Sequence, residues 1–77
     1  MTTKTEKLRK GLVAMGYLPV PSRSGKFEMF EKQGVRFPYL FLGKSAALRG
    51  NSKPNITGSY ALTDASKEMF IKKGEQS

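Results

Sequence analysis

The chain has 77 residues, 14 Lys and Arg against 6 Asp and Glu, a formal charge of +8, and no Cys, His or Trp. One small domain is expected over residues 1–77, with its ordered core at about 3–74. Its core is thin, because a chain near ~60 residues buries only about 60% of its unfolded surface. Without Cys or His there is no disulfide, no zinc site of the usual ligands, no Ser or Cys triad of the common type and no imidazole base.

The acids are Glu6, Glu28, Glu31, Asp64, Glu68 and Glu75, and their spacing gives no carboxylate cluster of the kind that holds magnesium or calcium. Glu28 and Glu31 fall on opposite faces of any strand, whereas paired catalytic carboxylates must converge on one bond. No catalytic residue, cofactor or metal is therefore expected, and the chain reads as non-enzymatic. No segment approaches the ~18–20 apolar residues of a membrane span, and the N-terminus lacks an apolar signal core, so a cytoplasmic location is expected. With no such signal, Asn55-Ile56-Thr57 matches a glycosylation acceptor by spelling alone.

Thr3-Lys4-Thr5-Glu6 spells a capping box, and Leu8, Leu12 and Met15 then recur at helical spacing, widened by Val13. A helix is predicted from Lys4 to Met15, with Gly11 weakening its middle and Gly16 closing it in the left-handed region. Pro19 and Pro21 hold the next stretch extended, and Ser22-Arg23-Ser24-Gly25 continues it as a basic loop.

Lys26 to Lys32 alternates as a strand, Phe27 and Met29 on one face and Glu28 and Phe30 on the other. After a turn at Gln33-Gly34, Val35 to Leu42 reads as the central strand, more deeply buried toward its end, with Pro38 marking a bulge or partial edge. Gly43-Lys44-Ser45 is the next turn. It has the tail of a phosphate-binding loop, but Pro38 stands where that motif needs its first Gly, so a hairpin turn exposing Lys44 is the better reading. A short strand follows from Ala46 to Arg49, then loop composition from Gly50 to Asn55. Thr63 caps a second helix with Leu62, Ala65, Met69 and Phe70 on its apolar side, and Gly74 lies beyond its end. The expected fold is α+β in the order α-β-β-β-α, with two helices packed on one face of a three-stranded antiparallel sheet and the other face left open.

Charge is unevenly spread. Residues 22–53 carry seven bases against two acids and residues 1–21 four against one, while residues 54–77 carry three of each. Between Glu31 and Asp64 there is no acid, and Lys32, Arg36, Lys44, Arg49 and Lys53 accumulate on turns and strands. A positive surface of this kind attracts phosphate backbones through counterion release. Phe27, Phe30, Phe37, Tyr39 and Phe41 interleave with bases, the pattern that stacks and holds single strands; core building accounts for most of them, with Phe30 and Tyr39 expected to be the most accessible. Ser22-Arg23-Ser24-Gly25-Lys26 and Arg49-Gly50-Asn51-Ser52-Lys53 are polar loops whose small residues let a phosphate approach backbone N–H groups.

The α-β-β-β-α order resembles the double-stranded-RNA-binding domain, although Asp64-Ala65-Ser66-Lys67 stands where that family carries a basic run. The helix with Leu8 and Leu12, Gly16-Tyr17 and the strand after Ser24-Gly25 resembles the HicA-type toxin ribonucleases, with Lys26 in place of their His, so that their catalysis is not carried over. Leu42-Gly43-Lys44-Ser45-Ala46-Ala47-Leu48-Arg49-Gly50 is similar to a run in small uncharacterised phage-type proteins, which implies a phage or mobile-element accessory protein.

These readings converge on a small basic nucleic-acid-binding protein, DNA favoured over RNA. Arg23, Lys26, Arg36, Lys44, Arg49 and Lys53 are the expected phosphate contacts, and Asn51 and Tyr39 the base or sugar contacts. The alternative is an adaptor or inhibitor that docks on an acidic protein, and the third reading is a divergent toxin-type ribonuclease.

Overall fold

A computed structural model describes residues 3–22, 25–54 and 58–75. The element order is α1 (Lys4–Ala14), β1 (Leu18–Val20), β2 (Phe27–Glu31), β3 (Tyr39–Gly43), β4 (Leu48–Asn51), β5 (Tyr60–Ala61) and α2 (Asp64–Glu75). The strands form one antiparallel meander in the order β1-β2-β3-β4-β5. The α+β class is as expected. Among the described residues the sheet has five strands rather than the expected three.

Helix α1 starts as its sequence dictates, with the Glu6 N–H donating to Thr3 Oγ1 at 3.2 Å. It ends in a Schellman motif, where Gly16 adopts φ +98°. There the Tyr17 N–H reaches Leu12 O and the Gly16 N–H reaches Val13 O, both at 3.0 Å. The last turn of α1 carries no base of its own. Lys32, arriving from the end of β2, donates through Nζ to Met15 O and lies 5.7 Å from the centre of the Tyr17 ring. A cation at a helix C-terminus is favourably placed against the macrodipole. Thr63 caps α2 by accepting from the Ser66 N–H at 3.3 Å.

The two additional strands are the edges. Pro19 sits within β1, opposite Phe30, and a proline is tolerated there because an edge strand needs fewer ladder donors. Strand β5 has two residues, and the Leu62 N–H extends its pairing to Leu48 O at 3.0 Å. The central strand is shorter than expected. It begins at Tyr39, after the Lys32 N–H has closed the connection by donating to Pro38 O at 2.8 Å. Val35 and Phe37 leave the sheet plane and pack against the core instead. The strand expected from Ala46 starts at Leu48, since Ala46 takes φ +63° within the hairpin turn.

Register decides which side chains meet the helices, because residues directly opposite each other share a face. Phe30, Leu40 and Gly50 are in line, as are Glu28, Leu42 and Leu48. Phe30, Leu40, Leu42 and Leu48 join Leu8 and Leu12 of α1 and Phe70 and Ile71 of α2 in one buried cluster, so both helices cover this face. Each fully buried apolar side chain contributes about 1.5–3 kcal/mol. Phe30, expected to be accessible, is only 1% exposed.

The buried face of the second helix is shifted from the one expected, keeping Phe70, with Leu62 packed against the core just before it. Ala65 and Met69 are exposed while Phe70 and Ile71 are buried. Gly74 lies inside α2 rather than past it, because there the helix presses on Gly11 of α1. Among the described residues, no helix is long and apolar enough to cross a membrane. Asn55 to Thr57 lie outside the described residues.

Candidate nucleic-acid interface

Among the described residues, the opposite face of the sheet carries no helix. Its side chains follow from the same register in three rows. The first is Leu18, Glu31, Tyr39 and Asn51; the second is Val20, Met29, Phe41, Arg49 and Ala61; the third is Phe27 with Gly43. This face is therefore largely apolar and aromatic at its centre, with Arg49 standing directly across from Phe41.

Exposure separates these residues further. Phe41 is 3% exposed and fills the middle of the face, while Tyr39, Phe27 and Met29 are partly buried. Phe27 lies across Gly43. A β-carbon on Gly43 would sit 3.1 Å from Phe27 Cε1 and 3.4 Å from Cδ1, so the missing side chain leaves the place the ring occupies. Glu31 accepts from Gln33 Nε2 at 2.8 Å. The other strand acid, Glu28, is on the helix-covered face, where it takes a two-pronged ion pair from Arg9 at 3.2 and 2.8 Å. That pair holds the already basic Arg9 guanidinium above its ordinary pKa, chiefly through the hydrogen bond to Glu28. With both side chains nearly half exposed, solvent screening limits the pair to about 0–1 kcal/mol.

The expected contact residues occupy three places around the open face. Lys26 and Lys44 flank one end of the sheet, just outside the Phe27–Gly43 pair that begins β2 and ends β3. Lys44 is exposed in the β3–β4 hairpin turn, which is closed by Gly43 N–H to Ala47 O at 2.7 Å, and its own carbonyl accepts from Thr5 Oγ1 at 3.2 Å. That tie fixes the turn to the start of α1. Arg36 and Lys53 are exposed at the other end, beside the Tyr39–Asn51 pair, and the Arg36 guanidinium lies 5.6 Å from the centre of the Phe37 ring. A five-residue strand separates the two ends by roughly 13–17 Å. Arg49 is exposed between them, on the open face itself. Arg23 lies outside the described residues.

Asn51 faces the open side but is 5% exposed, and its Oδ1 accepts from the Lys53 N–H at 3.4 Å. Its carbonyl shapes the turn that presents Lys53. Lys32, part of the same basic run in sequence, is committed to Met15 and Tyr17. The sequence pattern did not single out Phe27 as a ring on the open face, although Gly43 directly opposite it was the available signal. Among the described residues, no group of three or more His, Cys, Asp and Glu is placed to hold a metal ion. Comparison with protein-family models, with curated proteins and with solved structures gave no match.

Proposed function

We propose that this chain is a non-enzymatic nucleic-acid-binding module, DNA ahead of RNA, that uses the open face of its sheet. The observation that carries the reading is the placement of Arg49 and Tyr39 on a helix-free, aromatic sheet face with Lys26 and Lys44 beyond one end and Arg36 and Lys53 beyond the other. Cations at both ends and in the middle suit a polyanion that runs along the strands, with phosphates contacted by Arg and Lys and sugars or bases by Tyr39. The concentration of net charge in residues 22–53 supports the same reading, since the helix-bearing C-terminal third contributes none. A phage or mobile-element accessory role is compatible with this activity.

The test is equilibrium binding to labelled mixed-sequence DNA and RNA across a salt series. Binding at low salt that weakens linearly in log–log form as salt rises is expected. Undetectable binding at low salt would refute the proposal. In that event, a stoichiometric acidic protein recovered from nuclease-treated lysate would favour the adaptor alternative.

A further inference from the structure

Resting on that proposal, we infer that the preferred nucleic acid is single-stranded, with unpaired bases stacked on Phe27 and Tyr39 at the two outer rows of the open face. Three properties of the face lead there. The first is spacing. Residues two apart along a strand are about 6.6–6.8 Å apart, so successive rows repeat at that interval. Bases stacked in a duplex rise about 3.4 Å per step, half the row spacing. Bases that settle on Phe27 and Tyr39, two rows apart, must therefore leave the stack, as a single strand allows and a duplex does not.

The second is the form of the platforms. The Phe27 ring lies across from Gly43, its Cε1 and Cδ1 3.1 and 3.4 Å from where a Gly43 β-carbon would be. Tyr39 lies two rows away, partly buried, while Phe41 between them is packed down and 3% exposed. Two accessible rings thus flank a filled centre, from which Arg49 projects. Aromatic rings and Arg planes take the π-faces of unpaired bases, which a duplex keeps covered by adjacent pairs.

The third is width. Five strands, four spacings of about 4.8 Å, make a surface about 19 Å across. A B-DNA major groove is about 12 Å wide and admits one helix or a two-stranded ribbon. The sheet is too broad to enter it, whereas a single strand can lie on its surface.

The experiment compares one fluorescein-labelled mixed-sequence DNA oligonucleotide, alone and annealed to its complement, at one low salt concentration. Wild type, Tyr39→Phe and Tyr39→Ala are titrated against each form, with intrinsic tyrosine fluorescence followed in parallel. The single strand is expected to bind more tightly than the duplex. Tyr39→Ala should weaken the single-strand complex at least about fivefold and spare the duplex, and Tyr39→Phe should retain affinity. The single strand should also quench tyrosine emission in wild type but far less in Tyr39→Phe, a variant that keeps the ring. Tighter duplex binding, or single-strand quenching unchanged by Tyr39→Phe, would overturn the inference while leaving nucleic-acid binding standing. No binding of either form would instead remove the proposal on which it rests.

Discussion

Gly11 and Gly74 bring the two helices into backbone contact. A β-carbon on Gly11 would fall 1.5 Å from the Phe70 carbonyl oxygen, and one on Gly74 would fall 2.6 Å from the Gly11 amide nitrogen. Both obstructions are backbone atoms, which cannot rotate away as a side chain can. This crossing draws α1 and α2 together on one face of the sheet and, among the described residues, leaves the other face uncovered by helix.

Gly→Ala inside a helix ordinarily stabilises by about 1 kcal/mol. Here the sign should reverse. Gly11→Ala is expected to destabilise by about 2 kcal/mol or more, since overpacking a close contact typically costs 1–3 kcal/mol. Gly25→Ala, with nothing within 4 Å of its added carbon, is the matched control and should be close to neutral. Urea denaturation of the three proteins gives the comparison directly.

Gly50 and Phe37 form a second dependent pair. A β-carbon on Gly50 would lie 2.8 Å from Phe37 Cγ and 3.1 Å from its Cβ. Gly50→Ala alone should therefore cost about 1–3 kcal/mol. In a Phe37→Ala background the same substitution should cost less, because the ring atoms at 2.8 and 3.1 Å are gone and only the residue 37 β-carbon at 3.1 Å remains. A double-mutant cycle measured by denaturation would expose this coupling.

Tyr17 links the end of α1 to the connection before β3, its hydroxyl donating to Phe37 O at 3.1 Å. Burial pushes its phenol above the ordinary value of 10.0. The folded state thus favours the protonated form, and this contribution is fully present below about pH 10. It is lost as pH rises through the higher folded value. Tyr17→Phe should cost about 1 kcal/mol at neutral pH and should make stability fall less steeply above pH ~10. Thermal melts across an alkaline series test both parts.

Lys32 distinguishes charge that holds the fold from charge assigned to the proposed interface. Replacing it with Met removes the donor to Met15 O and the cation over Tyr17, and should destabilise by about 1 kcal/mol. Arg49→Ala, on an exposed strand position, should change stability by less than about 0.5 kcal/mol. Thermal denaturation of the two variants should show this contrast despite their equal loss of charge.

Both helices, their N-caps, the closing Gly16 of α1 and the alternation of β2 were legible because each depends on local spacing. Which face of β2 turns inward was not. Each of its faces bears a Phe, and a carboxylate such as Glu28 ordinarily marks the solvent side, yet Arg9 meets it at the helix rim while Phe30 enters the core. The edge strands were hidden for another reason. Two or three residues cannot display alternation, and Pro19 argues against a strand anywhere but at an edge. Gly74 resembled a helix stop because its spacing does not reveal the neighbouring helix. At the site, the bases were recognisable as a group, but only the register places Arg49 opposite Phe41 and brings Phe27 onto the same side.

The proposed function assigns binding to the location of the basic residues rather than to net charge. The most direct test is the salt dependence of binding for two charge-matched double variants, Arg49→Ala with Lys53→Ala, and Lys72→Ala with Lys73→Ala on the exposed side of α2. Each removes two positive charges. The first pair should reduce the log–log salt slope by about 1.4 on a single strand, at ~0.7 for each phosphate no longer neutralised. The second should leave the slope within error of wild type. Equal reductions in both would show that bulk charge alone drives binding, and would contradict the assignment of the sheet face.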